Sequence, residues 1–306
     1  MRNSWFFVIN PVSGNSKGLK VWEDIQKNLD ESDVSYEYKI SEYHKHTIEI
    51  VREKYASGFR NFIGIGGDGT INEIVNALFS DVALPESHTT VSLVPVGTGN
   101  DWVRNHQEIL TPSNIAQKIR ENNTLTHDVG AIYSEEHKIK HFFINVAGFG
   151  LDGSVVKELE KLNASGKKGK LSYVKSMLKA LIQFSAFEAK IATVEEKNFE
   201  GQTLLLAAAK GQFFGSGMHI SPLSKPNNGE LDITWVKNDS NWVILPQLYK
   251  LFTGEIAKVT FVEKSTCSEI RIVSDRLIPI QADGEYVGEA NQIKFSIIKQ
   301  AVLVLT

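Results

Sequence analysis

Phe62-Ile63-Gly64-Ile65-Gly66-Gly67-Asp68-Gly69-Thr70-Ile71-Asn72-Glu73 decides how the rest of the chain is read. Phe62 to Ile65 is a short apolar run, which predicts a buried strand, and Thr70 to Leu78 carries apolar residues at helical spacing. Gly66, Gly67 and Gly69 let the main chain between them take conformations closed to other residues and let a ligand approach it closely. With Thr70 as N-cap, the loop offers amide N–H groups and the positive end of a helix dipole at one spot, an anion site suited to phosphate. An aspartate there would repel phosphate unless a cation lay between them, so Asp68 points to Mg²⁺ held between carboxylate and nucleotide. The alternative is a tight strand-to-helix turn in which Asp68 only caps the helix.

The arrangement repeats downstream. Pro95-Val96-Gly97-Thr98-Gly99-Asn100-Asp101 follows the apolar strand Val91 to Val94 and leads into a short helix with Trp102 and Val103. Two such loops at strand ends in one sheet imply a shared nucleotide crevice. Upstream, strand Trp5 to Ile9 ends in Asn10-Pro11-Val12-Ser13-Gly14-Asn15-Ser16-Lys17-Gly18, which on its own reads equally as a turn or a site. Leu19 to Leu29 reads as a helix with Leu19, Trp22, Ile25 and Leu29 on one face, Val34 to Ile40 as a strand and Thr47 to Tyr55 as a helix. The order is β-α-β-α-β-α-β, a sheet layered with helices. Neither a Walker loop nor a Gly-x-Gly-x-x-Gly fingerprint stands at the first strand-helix junction.

After about Asp128 the texture changes to short apolar runs between turn residues: Lys140 to Val146, Glu188 to Val194, Leu204 to Ala209, Leu231 to Val236, Ala257 to Val262, Glu269 to Val273 and Gln292 to Ile298. That spacing predicts a β-rich, sandwich-like second domain with helical signals at Tyr173 to Phe184 and Trp242 to Phe252. The fold class is therefore α/β in two domains: residues 1–128 for the nucleotide, with 299–306 returning to them, and residues 129–298 for the substrate.

The 306 residues, 42% hydrophobic and 23% charged, suffice for two ordinary globular cores. A net charge of -3 argues against a dedicated nucleic-acid binder. Cys267 stands alone, so no internal disulfide is expected and a reducing cytoplasm fits best. No stretch approaches the roughly 18 to 20 apolar residues of a membrane-spanning helix. The histidines, His44, His46, His106, His127 and His219 among them, are not spaced as metal pairs and read as surface or capping residues.

These segments, together with Gly148-Phe149-Gly150-Leu151-Asp152-Gly153, Phe214-Gly215-Ser216-Gly217-Met218, Ser221-Pro222 and Asp283-Gly284-Glu285, resemble the diacylglycerol kinase and sphingosine kinase superfamily over essentially the whole chain. The soluble bacterial lipid kinases fit best. Gly-Gly-Asp-Gly-Thr alone is shared with nicotinamide nucleotide kinases; its combination with Gly-Thr-Gly-Asn-Asp and Asp-Gly-Glu is more selective. The resemblance implies an ATP- and Mg²⁺-dependent kinase acting on the hydroxyl of diacylglycerol or a related lipid in phospholipid metabolism. It places Asn10, Pro11, Val12, Ser13, Gly14, Ser41, Gly66, Gly67, Asp68, Gly69, Thr70, Ile71, Asn72 and Thr98 around ATP, with Ser41 where the family usually has threonine. It implies Asp68, Asp101 and Asp128 around a catalytic Mg²⁺ and Glu285 as general base; read without it, Asp283-Gly284 is a hairpin turn that Glu285 follows. A structural Mg²⁺ is implied at Lys225, Asn228 and Glu230, where Asn228 replaces the family's aspartate and Lys210 replaces an asparagine of many relatives, which puts that metal in doubt. Rival readings are a nicotinamide nucleotide kinase and a catalytically silent nucleotide-binding regulator.

Lys157, Lys161, Lys167, Lys168, Lys170, Lys175 and Lys179 accompany the apolar face Tyr173, Met177, Leu178 and Leu181. This reads equally as a peripheral contact with anionic membrane, which Lys17, Lys20 and Arg104 would extend, or as a solvated loop and a packed helix. Exposed sheet edges make a homodimer an expectation.

Overall fold

A computed structural model of the chain describes residues 4–80, 89–97, 99–164, 179, 183–194, 198–239, 241–247 and 249–306. The chain forms two compact units, Met1–Val129 with Lys299–Thr306 and Gly130–Ile298.

In the first unit β1 (Trp5–Ile9), β2 (Tyr36–Ile40), β3 (Asn61–Gly66) and β4 (Thr90–Pro95) lie in the order β2-β1-β3-β4, all parallel, and the end of β15 (Glu285–Leu305) pairs parallel to β4. Parallel neighbours need long crossovers, here α2 (Gly18–Asp30), α3 (His46–Ala56) and α4 (Asp68–Phe79). Trp5, Phe7, Ile9, Ile63, Ile65 and Val94 pack on Trp22, Ile25 and Leu29 of α2 and on Ile115 and Ile119 of α5 (Ile115–Glu121). On the opposite face Phe6 meets Phe59 and Phe62 edge-on, and a β-carbon at Gly64 would lie 3.1 Å from Ile74 of α4. Burial on both faces explains why β1 is an unbroken apolar run. Leu19 is not part of the buried stripe: α2 starts at Gly18, its stripe is Gly18, Trp22, Ile25 and Leu29, and Leu19 faces solvent.

The second unit is built from antiparallel ladders. β9 (Asn198–Ala209) pairs β12 (Leu231–Lys237) along one edge, and β7 (Val146–Gly150) and β8 (Phe187–Thr193) along successive parts of the other. β14 (Glu269–Ala282) then pairs β8 and β7, and turns into β15. β12 carries β13 (Val262–Cys267) on its far side. β8 alternates buried and exposed residues without exception, the signature of a half-buried strand. One face of these ladders packs Phe149, Phe187, Ile191, Leu206, Trp235 and Ile280 together; the other packs Val146, Leu205, Ala207, Ile256 and Phe261.

Several local expectations change. Ala257 to Val262 is not a strand: a 3₁₀ turn, Ile256–Lys258, precedes β13. Ile256, Val259 and Phe261 are buried as core residues of a loop, so their apolar character does not mark strand pairing. Trp242 to Phe252 is three short pieces, Asn241–Ile244, Leu245–Gln247 and Lys250–Thr253, with Pro246, which lacks an amide donor, in the middle one. Lys140 to Val146 divides into β6 (Ile139–Phe143) and β7. A helix, α6 (Leu151–Ala164), carries Lys157 and Lys161. Lys157 pairs with Glu289 at 2.7 Å, while Lys161 and Lys179 both pair with Glu158, whose carboxyl they pull down to about 2. Lys167, Lys168, Lys170, Tyr173, Lys175, Met177, Leu178 and Leu181 lie outside the described residues. No described helix is long and apolar enough to cross a membrane.

Candidate functional site

The three glycine-rich loops sit at the carboxyl ends of adjacent parallel strands, where open α/β sheets hold ligands. Backbone bonds stitch them together: Asn10 N–H donates to Ile65 O at 2.9 Å, Val96 N–H to Gly66 O at 2.7 Å and Ser41 N–H to Ile9 O at 2.9 Å. Gly14 sits at φ 58°, and a β-carbon there would lie 2.0 Å from Val96 O. A β-carbon at Gly97 would lie 3.2 Å from Gly67 Cα. The backbones thus approach to distances that only glycine permits.

Side chains complete the convergence. Asn10 folds its Oδ1 onto Val12 N–H at 3.2 Å and offers Nδ2 to Thr70 Oγ1 at 3.4 Å, which ties the first loop to the second. Thr70 is therefore not the N-cap. Gly67 holds that place, α4 begins at Asp68, and Thr70 is buried within the first turn with its N–H bonded to Gly67 O. The amides at the start of α4 still precede any intrahelical acceptor, as at every helix N-terminus.

Asp68 clips the third loop: Trp102 N–H donates to Oδ1 at 2.9 Å and Asp101 N–H to Oδ2 at 3.1 Å. Burial pushes its carboxyl up, and the amides of Trp102 and Asp101 with the charge of Arg104 pull it back. Asp101 is buried beside Arg104, whose Nε lies 3.6 Å from Oδ1. Asn105 bonds the carbonyls of Asp101 and Trp102, and Asn100, at φ 50°, donates Nδ2 to Gly97 O at 2.7 Å. Thr98 lies outside the described residues. Asp128 is fully buried and its Oδ1 accepts Gln300 N–H at 2.7 Å, which anchors the returning end of β15.

Among the described residues no group of three or more His, Cys, Asp or Glu is gathered for a metal. The donors present nevertheless suit Mg²⁺. Each Asp68 oxygen keeps a lone pair beyond the amide it accepts, and Asn100 Oδ1 is a buried acceptor without a hydrogen bond among the described residues. The loop 225–230 is different. Lys210, fully buried, puts its Nζ 2.7 Å from both Asn228 Oδ1 and Glu230 O, an ammonium where a second metal would sit.

Of the histidines read as surface or capping residues, His127 is interior and His106 is half-buried. His127 is buried, accepts from Trp102 Nε1 at 3.4 Å and faces Asp128 O through Nδ1 at 2.6 Å. His106 lies edge-on against Trp102, and burial lowers its pKa to about 4. His46, the first residue of α3, is also buried; its Nδ1 accepts Glu42 N–H from the loop before the helix and caps no helix amide.

In the second unit Glu285 opens β15 directly after the Asp283-Gly284 turn, with both turn residues at positive φ as a two-residue hairpin requires. Asp283 accepts three amides, those of Ile144, Asn145 and Val146, at 2.9 to 3.0 Å. Gly284 N–H donates to Gln281 Oε1 at 3.0 Å, and Gln281 Nε2 donates to Asp152 Oδ2 at 2.9 Å. Burial pushes the Asp152 carboxyl up to about 7. Neither the clamp nor the Gln281–Asp152 bond has a local signal, because their partners are more than 100 residues apart.

Residues 4–132 match the model of the diacylglycerol kinase catalytic domain, and residues 145–306 that of the YegS C-terminal NAD kinase beta sandwich-like domain. A protein of Bacillus subtilis (strain 168) named "Putative lipid kinase YtlR" is 29% identical over 93% of this chain and 94% of its own length. One of Staphylococcus aureus (strain N315) named "Putative lipid kinase SA0681" is 27% identical over 86% and 82%. A crystal structure described as that of "a putative diacylglycerol kinase" from Bacillus anthracis strain Sterne superimposes with a TM-score of 0.77 over 99% of this chain and 96% of that one, at 19% identity. The fold is shared with that protein. The chain belongs to the diacylglycerol kinase-like family, with a diacylglycerol kinase catalytic domain followed by a YegS C-terminal beta sandwich-like domain.

Proposed function

We propose that this protein is an ATP- and Mg²⁺-dependent lipid kinase that phosphorylates the hydroxyl of diacylglycerol or a related lipid at a membrane surface. The observation that supports this reading most is the close approach of Gly14, Gly67 and Gly97 at the strand ends, which opens main-chain amides to a polyphosphate. Asn10 to Gly14, Ser41, Gly66 to Asn72 and Thr98 surround ATP in this account, and Asp68 with Asp101 and Asn100 supplies hard oxygen donors. Mg²⁺ bound there with the nucleotide neutralises charge on the phosphates.

The lipid oxygen bonds to the γ-phosphorus, the bond from that phosphorus to the β–γ bridging oxygen breaks, and ADP leaves with the electron pair. Glu285 accepts the hydroxyl proton, and the loop amides stabilise the spreading negative charge. A carboxylate of ordinary basicity is adequate, because the phosphoryl transition state is loose and positioning carries most of the rate. Contact with the lipid phase is peripheral in this reading.

Transfer of label from ATP, with Mg²⁺, to mixed micelles of diacylglycerol, sphingoid base, phosphatidylglycerol and polyprenol tests the reading, with NAD in parallel. A labelled lipid is the expected product. Labelled NAD alone would turn the assignment to a nicotinamide nucleotide kinase, and ATP binding with no transfer to a regulator.

A further inference from the structure

Lys210 is the feature of the second unit that the proposed chemistry leaves unexplained. It is completely buried at the end of β9, where its own N–H holds Asn145 O at 2.8 Å. An ammonium without partners there would cost several kcal/mol, so its contacts must be organised for it. Two of its three donors meet Asn228 Oδ1 and Glu230 O, both at 2.7 Å. Asn228 Oδ1 also accepts Glu230 N–H at 3.3 Å, and Gly229 makes the turn between them at φ 73°. Lys225, Asn228 and Glu230 are exposed residues, and what the loop turns onto the ammonium is an amide oxygen and a carbonyl, not a cage of carboxylates. Asp232 stands half-buried nearby; burial pushes its carboxyl up, and Ser224, Lys210 and Lys264 pull it back.

We propose that the Lys210 ammonium takes the place of a structural divalent cation in the loop 225–230, so that this loop is folded without metal. Lys210 and Asn228, the two letters that depart from the pattern the resemblance implies, compensate each other. A dication with one aspartate and a neutral asparagine carries a net charge of +1; an ammonium with the neutral Asn228 amide carries the same. Geometry agrees, since both contacts, at 2.7 Å, are those of good N–H···O bonds from the ammonium. A fixed positive charge at the centre also repels a second cation. This inference is independent of the substrate and of Glu285.

The test uses the full-length protein without nucleotide. Thermal unfolding in EDTA and in millimolar Mg²⁺ is expected to agree within about 1 °C for the unaltered chain. Lys210→Asn combined with Asn228→Asp is expected to unfold about 5 °C or more lower in EDTA and to recover most of that with Mg²⁺. Crystals grown with Mn²⁺ are expected to show anomalous scattering at the loop in the double variant and none there in the unaltered chain. Mn²⁺ bound at the loop of the unaltered chain, with Lys210 turned away, would overturn the proposal. So would a double variant that folds but ignores metal; should it not fold, the Mn²⁺ crystals of the unaltered chain decide.

Discussion

Gly14 and Asp152 show how a single atom sets behaviour. At Gly14 an added methyl meets Val96 O at 2.0 Å in a backbone region that already costs an ordinary residue about 1 to 2 kcal/mol, so the loops must part. Gly14→Ala is expected to weaken ATP binding at least about tenfold, read by titration calorimetry, because about 1.4 kcal/mol is a factor of ten. Unchanged affinity would remove the first loop from the site. Asp152 is held as an acid up to about pH 7, above its ordinary value, so burial of its charge opposes folding. The unfolded chain loses that proton near pH 4 and the folded chain near pH 7, so this group's contribution to stability falls as pH rises between them. Asp152→Asn is expected to flatten that part of the curve of unfolding temperature against pH. His106 acts in the opposite sense: its folded pKa is about 4, so its contribution is complete above pH 6.5 and is lost as pH falls toward 4.

Strands and turns were legible where the pattern was local, and obscure where a distant partner decided. The β1, β3 and β4 runs and the glycine loops behind them could be read because consecutive apolar residues followed by glycine have few other uses. The helical pattern in the sequence starts at Thr70, two residues after α4 itself, because Asp68 looks outward to Asp101 and Trp102 instead of capping its own helix. Ala257 to Val262 reads as a strand because apolar residues in a buried loop look the same in sequence. The Asp283-Gly284 turn was visible, but the three amides that Asp283 holds were not. Asp283→Ala orphans those buried donors, each worth about 1 to 3 kcal/mol, and is expected to lower the unfolding temperature by about 5 °C or more. Asp283→Asn, which keeps one acceptor, is expected to lose less. Equal, negligible losses would show that the turn holds without the clamp.

At the scale of the molecule, the shift from a parallel, helix-covered sheet to antiparallel ladders was readable from texture alone, and family matches fall on the same two parts. The site was readable as motifs but not as a network. Asn105 and Gln281 carry no signal beyond their letters, Asn100 reads only as a letter of its loop and Arg104 only as part of a basic patch, and Asp128 grips the returning strand. The second unit's charge balance was hinted at by two odd letters, Lys210 and Asn228, whose meaning needed their 2.7 Å contact. In the proposed reaction ATP is the phosphate donor, a lipid hydroxyl the acceptor and Glu285 the base. This reaction is tested most directly by phosphate transfer from ATP to the lipid identified in mixed micelles, comparing the unaltered protein with Glu285→Gln at matched ATP affinity. The account expects transfer by the unaltered protein and a loss of about 10² to 10⁴ in kcat for the variant, the usual contribution of a general base. Equal rates, or no lipid product from either protein, would contradict it.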